Sequence, residues 1–362
     1  MRYGLCAVRA PEDERDSLRR VRRRRLRRSL ELVVVVTTLV LALQVLSALD
    51  WSDLERQIVA ADRRAVALTV ALLVLRWVVW NVRWRLALAG IAATAGSLRT
   101  FGAILAGAAL NHLTPAFRVL GGLVRARYVS GGDPSRFGPS YGSVLWDQIV
   151  NQVVAGAASA AAFILLSWRL GRAGQSLVAS LMVGATILLL PLLWRRLQRT
   201  GLLDEEPAPD PDAEGRPRWA RAIAVGGRQA LHRLDELLAE RPLLVRAAAL
   251  SALYVSFNIG AAWTAFAALG DPPSLETVFL AASLGVTLGA LSGTPGGGLT
   301  TEAAMVACFV LLGTDRSVAL AGTLLYRGLH YALVLALGLP SLALLEADHR
   351  RRVASRSAPQ GG

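Results

Sequence analysis

The sequence predicts an all-α polytopic membrane protein, with about six full spans and two re-entrant broken-helix hairpins arranged as an inverted repeat. Three observations carry this fold class. First, the 362 residues are 54% hydrophobic with a mean hydropathy of +0.43, above what an ordinary soluble domain of this size carries. Second, uncharged runs such as Leu32–Leu49, Ala247–Gly270 and Gly328–Leu345 approach or reach the length that crosses a hydrocarbon core of about 30 Å. Third, Gly and Pro interrupt two further apolar segments, at Asn111-His112-Leu113-Thr114-Pro115 and at Ser292-Gly293-Thr294-Pro295-Gly296-Gly297-Gly298. Hydrocarbon offers no partners to backbone amides, so a broken helix at membrane depth survives only inside protein or along a cavity. Paired interruptions in two halves of a chain point to a transporter's substrate site.

Arginine placement orders the elements. Eight arginines in Arg19–Arg28 make residues 1–30 a basic cytoplasmic tail ahead of a first span at Leu32–Leu49, read as a retained anchor rather than a cleaved leader. The first membrane half covers 31–194. A short surface helix around Leu54–Ala61 precedes a span at Ala65–Val82 that ends inside at Arg83 and Arg85. Leu98–Val129 carries Arg99 at its start and Arg125 and Arg127 near its end, with Arg136 beyond it. Both ends therefore prefer the cytoplasm, which predicts a hairpin that enters, breaks at 111–115 and returns. Spans at Tyr141–Trp168 and Gln175–Trp194 complete this half.

Residues 195–241 form a cytoplasmic linker. Its Pro- and acid-rich part, Leu203–Arg218, is predicted to be disordered. Ile223, Ala230, Leu231, Leu234, Leu237 and Leu238 then recur at helical spacing, as an amphipathic helix on the inner membrane face or packed on the protein itself. The second half, 242–345, runs from Ala247–Gly270 through a hairpin at Leu275–Gly313, broken at 293–298, to Ser317–Leu345. The hairpin has few arginines at either flank and enters from outside. A second basic cytoplasmic tail occupies 346–362. The alternative architecture has eight or more ordinary spans, because charge bias in short outer loops is weak.

The candidate site residues follow from the breaks. A helix restarting at mid-membrane presents unpaired amides and a positive partial charge, which favour an anion. Arg118 and Arg125 lie two turns apart on one face after Pro115, and guanidinium forks suit phosphate. Gly121 and Asn111 belong to the same break; Pro295, Gly296, Gly297 and Gly298 form the second. Glu302, in the first turn beyond them, stabilises the helix start or serves as a coupling site or Arg partner, and Arg327 in the last span would neutralise it. Asp147 and Asn151 share a helical face with Ser143, beside Gln148 and Gln152, as expected of a cavity wall. Arg76 sits among Trp77, Trp80 and Trp84, which read as an interfacial belt. His112 and His330 read as polar packing residues.

Several chemistries are excluded or unsupported. No Lys occurs, which rules out Schiff-base chemistry. The net charge of +14 sits at span ends, as topology requires, so nucleic acid is not an expected partner. Cys6 and Cys308 do not suggest a disulfide. No cofactor, metal site or catalytic constellation is expected, and Gly296-Gly297-Gly298 lacks the Lys of a phosphate-binding loop.

At these residues the chain resembles the lysylphosphatidylglycerol synthase transmembrane region family, also called flippase-like membrane proteins. Arg83-Trp84-Arg85 is similar to the family's Arg/Trp signature, Asn111, Pro115 and Arg125 to its Asn-x-x-x-Pro and downstream Arg, and Pro295–Gly298 with Glu302 to its Pro-Gly-Gly break. Arg327 resembles its late intramembrane Arg. Gly122 departs from the pattern, because many members carry an acid there. The resemblance implies a flippase-like carrier in the cell membrane, with both termini cytoplasmic, that moves an anionic or polyprenyl-phosphate-linked lipid headgroup. The lipid-aminoacylating members add a large soluble domain, so aminoacylation by this chain alone is not expected. Two other readings stay open: a membrane-embedded enzyme acting on a lipid phosphate through Asp147 or Glu302, and a non-transporting partner of a soluble lipid- or glycan-modifying enzyme.

Overall fold

A computed structural model describes residues 56, 58–89, 95–114, 119–131, 133–169, 218–270, 272–291 and 297–357. The chain divides into two compact units, Met1–Asp50 and Trp51–Gly362, and every described residue belongs to the second. The expected spans at Leu32–Leu49 and Gln175–Trp194 and the acidic linker at 203–217 lie outside the described residues.

Among the described residues all regular structure is helical: α1 Arg63–Leu88, α2 Ser97–Leu113, α3 Val119–Ser130, α4 Pro134–Arg169, α5 Arg218–Ala239, α6 Arg241–Ala267, α7 Leu275–Leu291, α8 Thr300–Leu311 and α9 Arg316–Ser357. Stretches of α1, α4, α6 and α9 are long and apolar enough to cross a membrane. The protein is a polytopic all-α membrane protein. On α1, Leu68, Leu75, Val78 and Val82 are exposed, while Thr69, Leu73, Arg76, Trp77 and Trp84 are buried. That helix turns its greasy face outward and its charged face inward, as a lipid solvent requires.

The two broken segments form matched hairpins. Each pairs a 17-residue helix (α2, α7) with a 12-residue helix (α3, α8). At 1.5 Å per residue these measure about 25 and 18 Å, too short to span a core of about 30 Å. Glycine permits the close crossing within each pair. A Cβ on Gly121 would collide with the Gly107 carbonyl and the Asn111 side chain, and one on Gly285 with Met305. The base of the first hairpin is tied shut, with Arg99 Nε donating to the Tyr128 carbonyl at 2.9 Å.

Helix directions make the halves an inverted repeat. The long helices α1 and α6 are antiparallel: the Asp62 amide donates to the Ala268 carbonyl at 2.8 Å, Thr69 meets Thr264 at 2.8 Å, and Arg83 reaches Ser251 at 3.0 Å. Helix α2 runs antiparallel to α9, with Gly338 against Leu105 and Gly102 against Leu345. Its counterpart α7 runs antiparallel to α4, with Ser159 on the Ser283 carbonyl and Arg169 on Glu276. Each hairpin thus packs on the closing helix of the other half. The base of the first lies beside the end of α9, through Arg99–Asp348 and Arg127–Glu346. The base of the second lies beside the end of α4 through Arg169–Glu276. The hairpins enter from opposite ends, and the end of α2 and the start of α8 meet at Tyr331.

Two expectations need correction, and one open choice is resolved. Arg83 is not a rim anchor: it is 1% exposed within the bundle, whereas Arg85 is exposed. Trp77 and Trp84 are not an interfacial belt but are buried at 1% and 0%. The amphipathic helix α5 packs on the protein. Ala230 closes onto Gly142, and Leu234 and Leu237 join Trp146 and Ala87 in one apolar cluster.

Candidate functional site

The polar stripe on α4 organises the first cluster. Asp147 is fully buried and accepts from Arg83 Nε on Oδ1 at 2.8 Å. On Oδ2 it accepts from Arg125 and from Trp80 Nε1, both at 2.7 Å. One turn on, Asn151 Oδ1 accepts from Arg83 at 2.7 Å; one turn back, Ser143 accepts from Trp84 Nε1 at 3.1 Å. Arg125 stands 4.2 Å from the Trp84 ring centroid and 5.0 Å from that of Trp80, within cation–π reach of both. Two guanidinium groups share one carboxylate, leaving one positive charge in excess.

The second cluster joins the hairpin tips. Arg327 Nε donates to Glu302 Oε1 at 2.6 Å, and Arg327 also donates to Tyr331 Oη at 2.6 Å. Tyr331 Oη lies 3.3 Å from the same Glu302 oxygen. The His112 ring packs edge-on against Tyr331 at 5.3 Å and against His330 at 5.2 Å. His112 closes α2 and Glu302 opens α8, so Tyr331 on α9 bridges the two breaks. Glu302 sits where helix-start stabilisation and an arginine partner coincide.

Arg76 links the clusters. It is 4% exposed, donates to Asn258 Oδ1 and lies 2.8 Å from His330 Nδ1. Its charge faces the rings of Trp77 and Tyr254 at 5.8 and 5.3 Å. Tyr326 Oη donates to the same Asn258 oxygen at 2.8 Å. Between these groups lies a cavity of about 180 Å³ whose walls come from α1, α2, α4, α6, α7 and α9. Arg76, Asn111, Asn151, Arg327 and His330 are wall residues; Asp147 and Arg125 contact the wall through Trp80, and Glu302 through Arg327.

The site residues expected from sequence divide into three sets. Pro115, Arg118, Pro295 and Gly296 lie outside the described residues. Asn111, Asn151 and Arg327 line the cavity, and Asp147, Arg125 and Glu302 brace it. Gly121, Gly297 and Gly298 shape the hairpins: the Gly121 amide donates to Asn111 Oδ1 at 2.9 Å, and Gly297 takes φ 71° just before α8. His112 and His330 are wall residues of the cavity, more than polar packing. Tyr254, Asn258 and Tyr331 join the site unannounced, and Trp80, expected in an interfacial belt, is a wall residue that donates to Asp147. Asn258 alone carried a signal, as an amide in a long uncharged run. No cluster of metal-ligating side chains occurs among the described residues.

Residues 30–338 match the family model described as the lysylphosphatidylglycerol synthase TM region. Among curated proteins none matches the chain.

Proposed function

This chain belongs to the lysylphosphatidylglycerol synthase TM region family, and on that premise we propose that it is a carrier for the anionic headgroup of a lipid. The observation that carries the reading is a cavity walled in part by α2 and α7, the long arms of two hairpins that enter from opposite ends of an inverted repeat. Four buried guanidinium groups in or near its wall, Arg76, Arg83, Arg125 and Arg327, are set against two carboxylates: Asp147 pairs with Arg83 and Arg125, and Glu302 with Arg327. Buried charge in a membrane protein marks a pathway, and an excess of two positive charges calls for an anion.

The headgroup, on a phospholipid or a polyprenyl phosphate, occupies the cavity while its chains stay in lipid. The hairpin tips exchange access between the two faces. A carrier is favoured over an enzyme because both carboxylates are held by arginines. Asp147 accepts three charged or polar donors and is a poor general base. The expected location is the plasma membrane with both termini cytoplasmic, and the partners are membrane lipids and a separate enzyme that makes or consumes the headgroup.

The test is translocation by purified protein in liposomes. Headgroup-labelled anionic lipid placed in the inner leaflet should reach an impermeant quencher outside faster than in protein-free vesicles. Equal rates with and without folded protein, across phosphatidylglycerol and polyprenyl phosphate analogues, would defeat the carrier reading.

A further inference from the structure

The charges around the cavity differ in how they are compensated, and that difference selects among headgroups. Arg83 and Arg125 share Asp147, and Arg327 is paired with Glu302. Arg76 has no carboxylate within ion-pair distance among the described residues. Its partners are the neutral oxygen of Asn258 and the ring nitrogen of His330, and its buried Nε has no hydrogen-bond partner. Accepting from Arg76 requires His330 Nδ1 to be unprotonated, so the ring supplies no counter-charge. An uncompensated buried cation is among the most costly features a fold can hold, and a wall position lets a ligand compensate it.

The walls are one-sided in charge. Arg76 and Arg327 line the cavity, and no Asp or Glu does among the described residues. Glu302 has one buried oxygen without a hydrogen bond, but Glu302 is not a wall residue and its other oxygen accepts from Arg327. The part of the wall built by α4 and α7 is neutral and hydrogen-bonding: Asn151, Gln152, Ser159, Ser283 and Thr287. Ser159 and Thr287 hydroxyls lie 2.5 Å apart, tying α4 to α7. Amide and hydroxyl walls suit the hydroxyls of a glycerol or sugar. The volume, about 180 Å³, is below the roughly 300–1,000 Å³ of pockets for drug-sized ligands and fits a headgroup without its chains.

We propose, building on the carrier reading, that the cavity takes a net-anionic, hydroxyl-bearing headgroup and rejects one that carries an ammonium. The phosphate sits on Arg76, and the hydroxyls meet the amide and hydroxyl wall of α4 and α7. An aminoacyl or ethanolamine headgroup would bring its cation against Arg76 and Arg327 with no wall carboxylate to receive it. Arg76 is thus the specificity-determining residue.

The experiment measures binding of short-chain lipids to purified wild type and variants in detergent. Phosphatidylglycerol, lysyl-phosphatidylglycerol, phosphatidylethanolamine and neutral diacylglycerol are the probes. The expected result is that wild type binds phosphatidylglycerol at least about ten-fold more tightly than the other three. Arg76→Gln should weaken phosphatidylglycerol binding about ten- to hundred-fold, the loss of one charge-assisted contact, with Arg76→Lys intermediate. Should Arg76→Gln fail to fold, the wild type alone decides: glycerol phosphate should displace bound phosphatidylglycerol, and glycerophosphoethanolamine should not.

Lysyl-phosphatidylglycerol bound or moved as well as phosphatidylglycerol would overturn the selectivity and leave the carrier reading intact. Unchanged phosphatidylglycerol binding by folded Arg76→Gln would remove Arg76 from the site. Failure of the wild type to bind or move any of the lipids would overturn both readings.

Discussion

Replacing Asp147 with Asn removes the one carboxylate that faces Arg83 and Arg125 among the described residues. All three side chains are at most 2% exposed, at 2.7–2.8 Å from donor to acceptor. At an effective dielectric of about 20, each opposite-charge pair near 4 Å between charge centres contributes roughly 4 kcal/mol. Breaking one buried pair by removing one partner costs about 3–5 kcal/mol. Here one substitution strands two cations that then repel each other, so the expected loss lies at or above that range. The Trp80 indole donor also faces an amide that can no longer serve all three donors. The assay is thermal unfolding in detergent at a fixed scan rate, read by tryptophan fluorescence, since Trp80 and Trp84 pack on Arg125. Asp147→Asn should lower the apparent melting temperature more than Arg125→Met does. The double variant should lose less than the sum of the singles, with a coupling of about 0.5–3 kcal/mol, because removing Arg125 relieves half of the stranded charge. Asp147→Asn that melts with the wild type, or strictly additive losses, would refute the shared-carboxylate account.

Gly121→Val should cost about 1–3 kcal/mol of stability by forcing the hairpin crossing apart at the Gly107 carbonyl, measured by the same unfolding assay. In a Cys-free background, cysteines at Ser97 and Ser135, flanking the first hairpin, should both label from one membrane face. Cysteines at Ser274 and Ser317, flanking the second, should both label from the other; a hairpin whose two flanks label from different faces would be a full crossing. Asp315 caps α9 from outside the span, and hydrogen bonds from Ser317 and Val318 hold its carboxyl below the ordinary value of 3.8. The stabilisation is present above that value and fades as pH falls through the lowered one. Asp315→Ala should therefore lower the melting temperature at pH 7, and the difference should shrink as pH falls below 3.8 and through the lowered value.

The hairpins were legible because Gly and Pro at membrane depth have few physical explanations. The Asp147/Asn151/Ser143 stripe was legible from spacing alone, since one face of an α-helix repeats every four residues. Arg83 was not. An arginine near the end of an apolar run looks the same whether it anchors at the headgroups or turns inward to a carboxylate 64 positions away. The tryptophans of α1 were misread for the same reason, their partners being Ser143, Asp147 and Arg125 on other helices. For α5, an amphipathic pattern marks a face to be covered without naming the cover; the glycines of α4 that admit it, Gly138 and Gly142, give no sign of this in isolation. The lone status of Arg76 depends on which acids fold near it, which only the assembled bundle shows.

Two-sided access to the cavity tests the carrier account most directly. Ala155 lines the cavity beside Asn151 and Ser159. A cysteine there, in a Cys-free background, should react with an impermeant thiol reagent from each face of sealed vesicles in separate experiments. Anionic short-chain lipid should slow both reactions. Reaction from one face only, whether lipid is present or absent, would contradict alternating access and leave a cavity that binds without carrying.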